Sequence, residues 1–446
     1  MSCIDPSIPR AQETGELFDD PLRFLASTRA SLGDVFVLRD GKALFSRAAN
    51  CAGVVAVFGA SNYQSVLTDA ELFRQPISAA QHISLPQNLI NLNQGLHSMQ
   101  GAQHDEHQRL LMNVLSERSN ESRRQLVQAG LENFVREWRY EQQIPLLEEM
   151  RRLTLELSTR LLFGEQYDDS AQLAALAEQY FHARRAVAST FKAPGKSTRA
   201  KLIALGTSLD EGLRRYIDWS RHESSISDDG LLRTLTSIET LSDDELVAHS
   251  NVLFMSSLEP TAVTLTWTLL ILSQLPELRR RLREEQTLLD GVINETLRLL
   301  TPNAVMTRLT TRPTSLNSFP IPESCEILIS PFLAHREPER FPRPNEFLPE
   351  RWQGPKPSPF VYFPFGAGAH YCAGRSFATY MIKTSLAFLL ERYDPVLSFD
   401  QAVDWKIEIV LLPATDPLMS LHKPDATARS GGKLIGPVRE LIDLKS

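Results

Sequence analysis

The chain has 446 residues, 42% hydrophobic and 23% charged, with a formal net charge of −7, an ordinary globular composition rich enough to build a large core. No lysine- or arginine-rich block is present, which argues against a nucleic-acid partner. Four cysteines (Cys3, Cys51, Cys325 and Cys372) lie far apart with no C-x-x-C pair, which argues for a reducing compartment and against a disulfide framework or structural zinc.

The N-terminal stretch MSCIDPSIPRAQETGELFDD carries no basic-then-apolar signal, so a cytoplasmic location is expected. Residues 34 to 72 alternate short β-like runs (DVFVLRD, GVVAVFGA) with a helix, and residues 74 to 100 form a long polar connection of the kind that often lines functional sites. From 104 to about 290 the periodicity is helical. LLEEMRRLTLELSTRLLFG ends in Gly164, a C-cap candidate. LSDDELVAHS opens another helix with a capping box between Ser242 and Glu245, and its pattern runs on to about Gln274. Leu246 to Leu275 is long enough to span a bilayer, but His249, Glu259 and Pro260 make it a buried core helix instead. Proline rises between 302 and 364, residues 373 to 393 form one more long helix, and short strands such as KIEIVLL follow. Residues 1 to 422 read as a single domain, and 423 to 446 as a polar tail with a possible short helix.

The stretch FPFGAGAHYCAGRS, residues 363 to 376, is a glycine-bearing loop that presents Cys372 just before a helix. A helix N-terminus favours thiolate, so Cys372 is expected to carry a lowered pKa and to serve as a nucleophile or a metal ligand. Gly366, Gly368 and Gly374 let the backbone pass close to something bulky.

This loop resembles the haem-binding segment F-x-x-G-x-x-x-C-x-G of the cytochrome P-450 superfamily, through Phe365, Gly368, Cys372 and Gly374. The resemblance implies haem b (iron protoporphyrin IX) with Cys372 as the axial ligand of its iron. Glu295 and Arg298 of ETLR resemble the family's E-x-x-R pair, and HREPERFPRPNEFLPERW its proline-rich segment, which implies that Arg351 joins them in a buried structural charge triad. The literal PERF at 338 to 341 is a decoy. His104, Arg308 and His370 match the family's propionate partners, although Gln108 stands where the family often has arginine. The remaining histidines have no such context.

The resemblance also aligns Ser256 to Thr261 with the family's distal-helix motif A/G-G-x-D/E-T-T. Glu259 keeps the acid, whereas Pro260 replaces the first threonine, whose alcohol helps deliver protons. Pro260 cannot donate to the carbonyl of Ser256, so a kink is expected there. Thr261 lies about 100° further round an ideal helix. Proton delivery could rest on Glu259 with water and the serine hydroxyls, on a substrate hydroxyl, or be bypassed by peroxide.

The expected fold is mainly α with a smaller β region, the cytochrome P-450 fold. The implied function is haem-thiolate monooxygenation (hydroxylation or epoxidation) of a hydrophobic small molecule, of the kind found in secondary metabolism. Electrons would come from NAD(P)H through a ferredoxin and a ferredoxin reductase, docking near Arg375. Glu259, Pro260 and Thr261 are the catalytic candidates. Leu253, Ser256, Ser257, Ala304 and Val305 are the substrate-lining ones, with walls from 74 to 100, 181 to 205, Met306 and 415 to 420. Alternatives are a peroxygenase, isomerase or dehydratase, and a haem-dependent binding or sensor protein.

Overall fold

The computed structural model describes all residues except 1–3, 13–15, 47, 49, 77–84, 189–194, 224–229, 426–427 and 445–446, and leaves the side chains of 185–188 undescribed. Parts of the expected walls at 74 to 100 and 181 to 205, and Cys3, therefore lie outside the described residues.

Helices dominate, and a five-stranded sheet flanks them in the order Val35–Asp40, Gly53–Val57, Cys325–Ile329, Met306–Thr310, Phe73–Arg74. Gly53–Val57 and Cys325–Ile329 are buried at every position and pair in parallel at the middle of the sheet, which is why Gly53–Val57 reads as an unbroken apolar run. Arg308 rides on Met306–Thr310, antiparallel to Cys325–Ile329. A smaller sheet joins Gln143–Pro145, Leu418–His422 and Asp394–Leu397.

The central helix runs from Asp243 to Ser273. Its capping box is formed, with Ser242 Oγ accepting from the Glu245 amide at 3.3 Å and Glu245 Oε2 accepting from the Ser242 amide at 2.9 Å. The helix is apolar nearly all round because it is enclosed nearly all round. It packs most extensively on Leu146–Phe163, the helix that ends at Gly164 with a positive φ of 77°.

The helix runs on through Pro260, as its pattern to about Gln274 implies. An interior proline costs a helix about 3 kcal/mol. Here two tertiary contacts precede it and one bond within the helix follows it. Ser257 Oγ donates to Ser158 Oγ at 2.9 Å, Arg151 pairs with Glu259, and Thr264 Oγ1 donates to the Pro260 carbonyl at 2.7 Å.

The polar tail carries the short helix Val438–Leu441. It packs into the domain rather than hanging outside it. Leu434–Ile435 pairs in parallel with Gln401–Ala402, the Phe347 amide donates to the Asp443 carbonyl at 3.0 Å, and Ile442 is fully buried. Among the described residues no helix is long and apolar enough to cross a membrane.

Candidate functional site

The loop before helix Arg375–Arg392 is built by backbone hydrogen bonds. The Gly366 amide donates to the Phe363 carbonyl at 2.9 Å, and the Cys372 amide to the Phe365 carbonyl at 2.9 Å. Gly366 and Gly368 both take φ of +70°, a region that L side chains rarely adopt. At Gly368 a Cβ would sit 1.9 Å from the Leu67 carbonyl oxygen, so the bulky neighbour this glycine admits is the protein's own helix Ala60–Thr68. Gly374 has ordinary space around it, 3.8 Å from the Cys372 sulphur. Phe365 lies under the Arg375 guanidinium, 5.9 Å from its ring centre, and Arg375 donates to the Tyr371 hydroxyl at 2.6 Å.

Cys372 keeps accessible surface. The expected lowering of its pKa is corrected. Desolvation of the sulphur pushes the thiol up, and the Gly374 amide offsets only part of that rise. Thiolate at this position therefore requires a positive partner such as a metal ion.

Three of the sequence candidates meet beside the loop. His104 Nε2 lies 3.0 Å from His370 Nδ1, and the two rings are 4.2 Å apart, edge to face. His370 Nε2 is buried with no partner among the described residues. Its imidazole is pushed down to about 4, first by burial and then by the positive fields of His104 and Arg308. Arg308 is 4% exposed and donates only to the carbonyl of its neighbour Thr307, at 2.9 Å. No carboxylate among the described residues pairs with it, and burial alone pushes its guanidinium down to about 10. A buried cation without a counter-ion, next to an orphaned imidazole nitrogen, is the environment that an anionic group from outside the chain would complete. The propionates of haem fit that need, and Cys372 is a fitting ligand for its iron.

Gln108 does not reach this cluster. It donates to the carbonyls of Ala369 and Tyr371 at 2.9 and 2.7 Å, tying the helix Gly101–Val114 to the cysteine loop. Glu295, Arg298 and Arg351 are brought together. Arg298 holds Glu295 through two bonds of 2.9 and 2.8 Å with both side chains fully buried, and Arg351 Nε adds a third at 3.3 Å. Trp352 Nε1, missed by sequence reasoning although it adjoins Arg351, donates to the same carboxylate at 2.9 Å.

On the central helix, Ser256 is the single exposed residue between Leu246 and Ser273, flanked by partly exposed Val252, Leu253, Met255 and Pro260. These positions share one helix face, which other elements leave partly uncovered. Ser257, Thr261 and Ala304 are buried rather than presented on that face. Ser257 is 7% exposed and turned to Ser158, Thr261 is 2% exposed, and Ala304 is 1% exposed with its carbonyl engaged by the Ser330 hydroxyl. Val305 and Met306 are partly exposed. Glu259 is 4% exposed and held by a bidentate pair with Arg151, a partner that no local spacing announces.

Two histidines set aside as ordinary are coupled. His107 Nδ1 lies 2.7 Å from His249 Nε2, with His107 Nε2 3.5 Å from Glu245. The one available signal was that His107 follows His104 by one helical turn.

Residues 53–418 match the family model for cytochrome P450. The chain belongs to the cytochrome P450 family. Among P450 relatives it is 32% identical to "Cytochrome P450 3A41" of Mus musculus over 42% of this chain and 40% of that protein. It is 31% identical to "Sterol 26-hydroxylase, mitochondrial" of Mus musculus over 42% and 40%. The alignments thus span about two-fifths of those relatives' own length. Among solved P450 structures, "Retinoic acid bound cyanobacterial CYP120A1" superimposes with a TM-score of 0.79 at 21% identity, covering 94% of this chain and 99% of that one. The "cytochrome P450DA heme domain" does so with a TM-score of 0.77 at 19% identity, covering 95% and 99%. The cytochrome P450 fold is thereby shown.

Proposed function

We propose that the protein is a haem-thiolate monooxygenase acting on a hydrophobic small molecule, with electrons delivered from NAD(P)H by a ferredoxin and its reductase. The observation that carries this reading is the pairing of Cys372, on its glycine loop, with the unneutralised Arg308 beside His104 and His370. Cys372 would hold the iron, and Arg308, His104 and His370 the two propionates. Haem ligated by thiolate supplies reductive activation of dioxygen, with one oxygen atom passing to substrate and the other to water.

The chain's own contribution is to position substrate, exclude water and supply protons. Leu253, Val305 and Met306 present apolar surface. Ser256 is the hydroxyl placed to serve where the family's threonine alcohol is missing, because it alone breaks the buried run of the central helix. Glu259, held by Arg151, would serve as an acceptor that orients the water or hydroxyl carrying the proton.

A peroxide-driven reading has one observation in its favour, the absence of a side-chain donor at Pro260. The Arg151 pair also removes the repulsion that a free Glu259 carboxylate would exert on an acidic substrate.

The test is the spectrum of the reduced, CO-bound protein, followed by turnover with reductase partners or with peroxide. A red-shifted thiolate Soret band in the native protein, lost in Cys372→Ser, is expected. Its absence from the native protein would overturn the reading.

A further inference from the structure

A cavity of about 600 Å³ lies between the helices Gln87–Leu92, Ser170–Ala188 and Lys196–His222 and the start of Gly101–Val114. That is the size of a small-molecule site. One side is apolar, formed by Leu85, Leu89, Met99 and Leu202. At another point of the wall stands Arg184.

Arg184 is half-buried, and its partners are few. Nη1 donates to Asn93 Oδ1 at 2.5 Å, and the guanidinium carbon lies 5.9 Å from the centre of the Tyr180 ring. No carboxylate among the described residues pairs with it. The segments 77–84 (ISAAQHIS) and 189–194 (STFKAP), outside the described residues, contain no aspartate or glutamate. Arginine carries five N–H donors in a planar fork suited to two-point recognition of a carboxylate, and Asn93 occupies one of them.

Asn93 is itself fixed. Its Nδ2 donates to the Leu89 carbonyl at 2.6 Å and to the Tyr180 hydroxyl at 2.9 Å, and Tyr180 is 1% exposed. The cation is thus oriented by an amide that two further hydrogen bonds hold in place, while the rest of its fork has no acceptor among the described residues.

We infer that Arg184 anchors the carboxylate of the substrate, and that the substrate class is an acid with an extended apolar body lying along Leu85, Leu89, Met99 and Leu202. The cavity also reaches Gln100 and Gln103, on the first turn of the helix that carries His104. A molecule held by its acid end at Arg184 therefore extends its hydrocarbon toward the region assigned to haem. The inference rests on the proposed monooxygenase reading for its meaning as substrate selection, though not for the binding itself.

The test uses the haem-loaded full-length protein and matched pairs that differ only in the head group: dodecanoic acid and dodecanol, retinoic acid and retinol, 4-hexylbenzoic acid and 4-hexylbenzyl alcohol. Binding is read both as the Soret difference spectrum and by calorimetry. In at least one pair the acid should bind about tenfold or more tighter than the alcohol. Arg184→Gln should abolish that preference while leaving alcohol binding unchanged, and Arg184→Lys should retain part of it. Asn93→Asp, which supplies the cation with an internal carboxylate, should erase the preference as well.

Equal binding of acid and alcohol in all three pairs, binding of neither, or equal weakening of both by Arg184→Gln would overturn the inference. Each would assign Arg184 to holding the helices together. A native protein without the thiolate CO band fails the monooxygenase reading instead, and calorimetry on that protein still decides the anchor.

Discussion

Replacing His249 with glutamine should flatten the acid side of the protein's stability profile. His249 is 1% exposed, bonded through Nε2 to His107, and its Nδ1 is buried without a partner among the described residues. Burial first, and the neighbouring His107 second, push its imidazole from 6.5 down to about 4, with Glu245 opposing weakly. A histidine depressed in the folded state binds its proton more readily in the unfolded chain. Stability is therefore fully present above pH 6.5 and is lost as pH falls toward 4. The whole difference is roughly 3 kcal/mol, at about 1.4 kcal/mol per pH unit. About 2 kcal/mol of it should disappear between about pH 7 and about pH 5, a sizeable share of a typical folding free energy of about 5–15 kcal/mol. Glutamine can still donate to His107 Nδ1 but cannot titrate. Urea midpoints measured in parallel across that range should show a steeper fall for the native protein than for His249→Gln. Equal slopes would refute the assignment of the depressed imidazole.

Glu295→Gln should cost about 3–5 kcal/mol, because Arg298 would be left as an unmatched buried charge, and the yield and urea midpoint of the holoprotein report it. Arg308→Gln should leave the haem-free protein as stable as before or more so, since it removes a desolvated cation with no carboxylate partner. Haem transfer to an acceptor globin should meanwhile quicken about tenfold, and a haem-free protein weakened as much as the holoprotein would argue against a propionate role. Pro260→Thr restores a backbone donor and an alcohol. It should raise stability by up to about 3 kcal/mol and increase the fraction of reducing equivalents recovered in product, whereas unchanged coupling would show that proline does not limit proton delivery.

Local chemistry was legible in the sequence. The capping box of Ser242 and Glu245, the C-cap at Gly164 and the cysteine loop from Phe365 to Gly374 each depend on bonds within a few residues, so spacing alone displays them. Glu295, Arg298 and Arg351 could be named because two of them share a helix turn and the third stands in a recognisable proline-rich frame. Arg151 could not be matched to Glu259, nor His249 to His107, nor Arg184 to Asn93. Helical periodicity marks which face of a segment is covered but not by what. Pro260 is a similar case: propensity counts against a helix there, and contacts of Ser257 and Glu259 with Leu146–Phe163 hold the turn that precedes it.

The sequence by itself determined the family, the cysteine loop and the buried central helix, because each is written in contiguous residues. Only the tertiary structure decided that the Cys372 thiol is raised rather than lowered, that Ser256 and not Ser257 is exposed, and that Arg308 and Arg184 stand without carboxylate partners among the described residues. Those are properties of desolvation and of neighbours distant along the chain, and they come into being only when the helices close around one another.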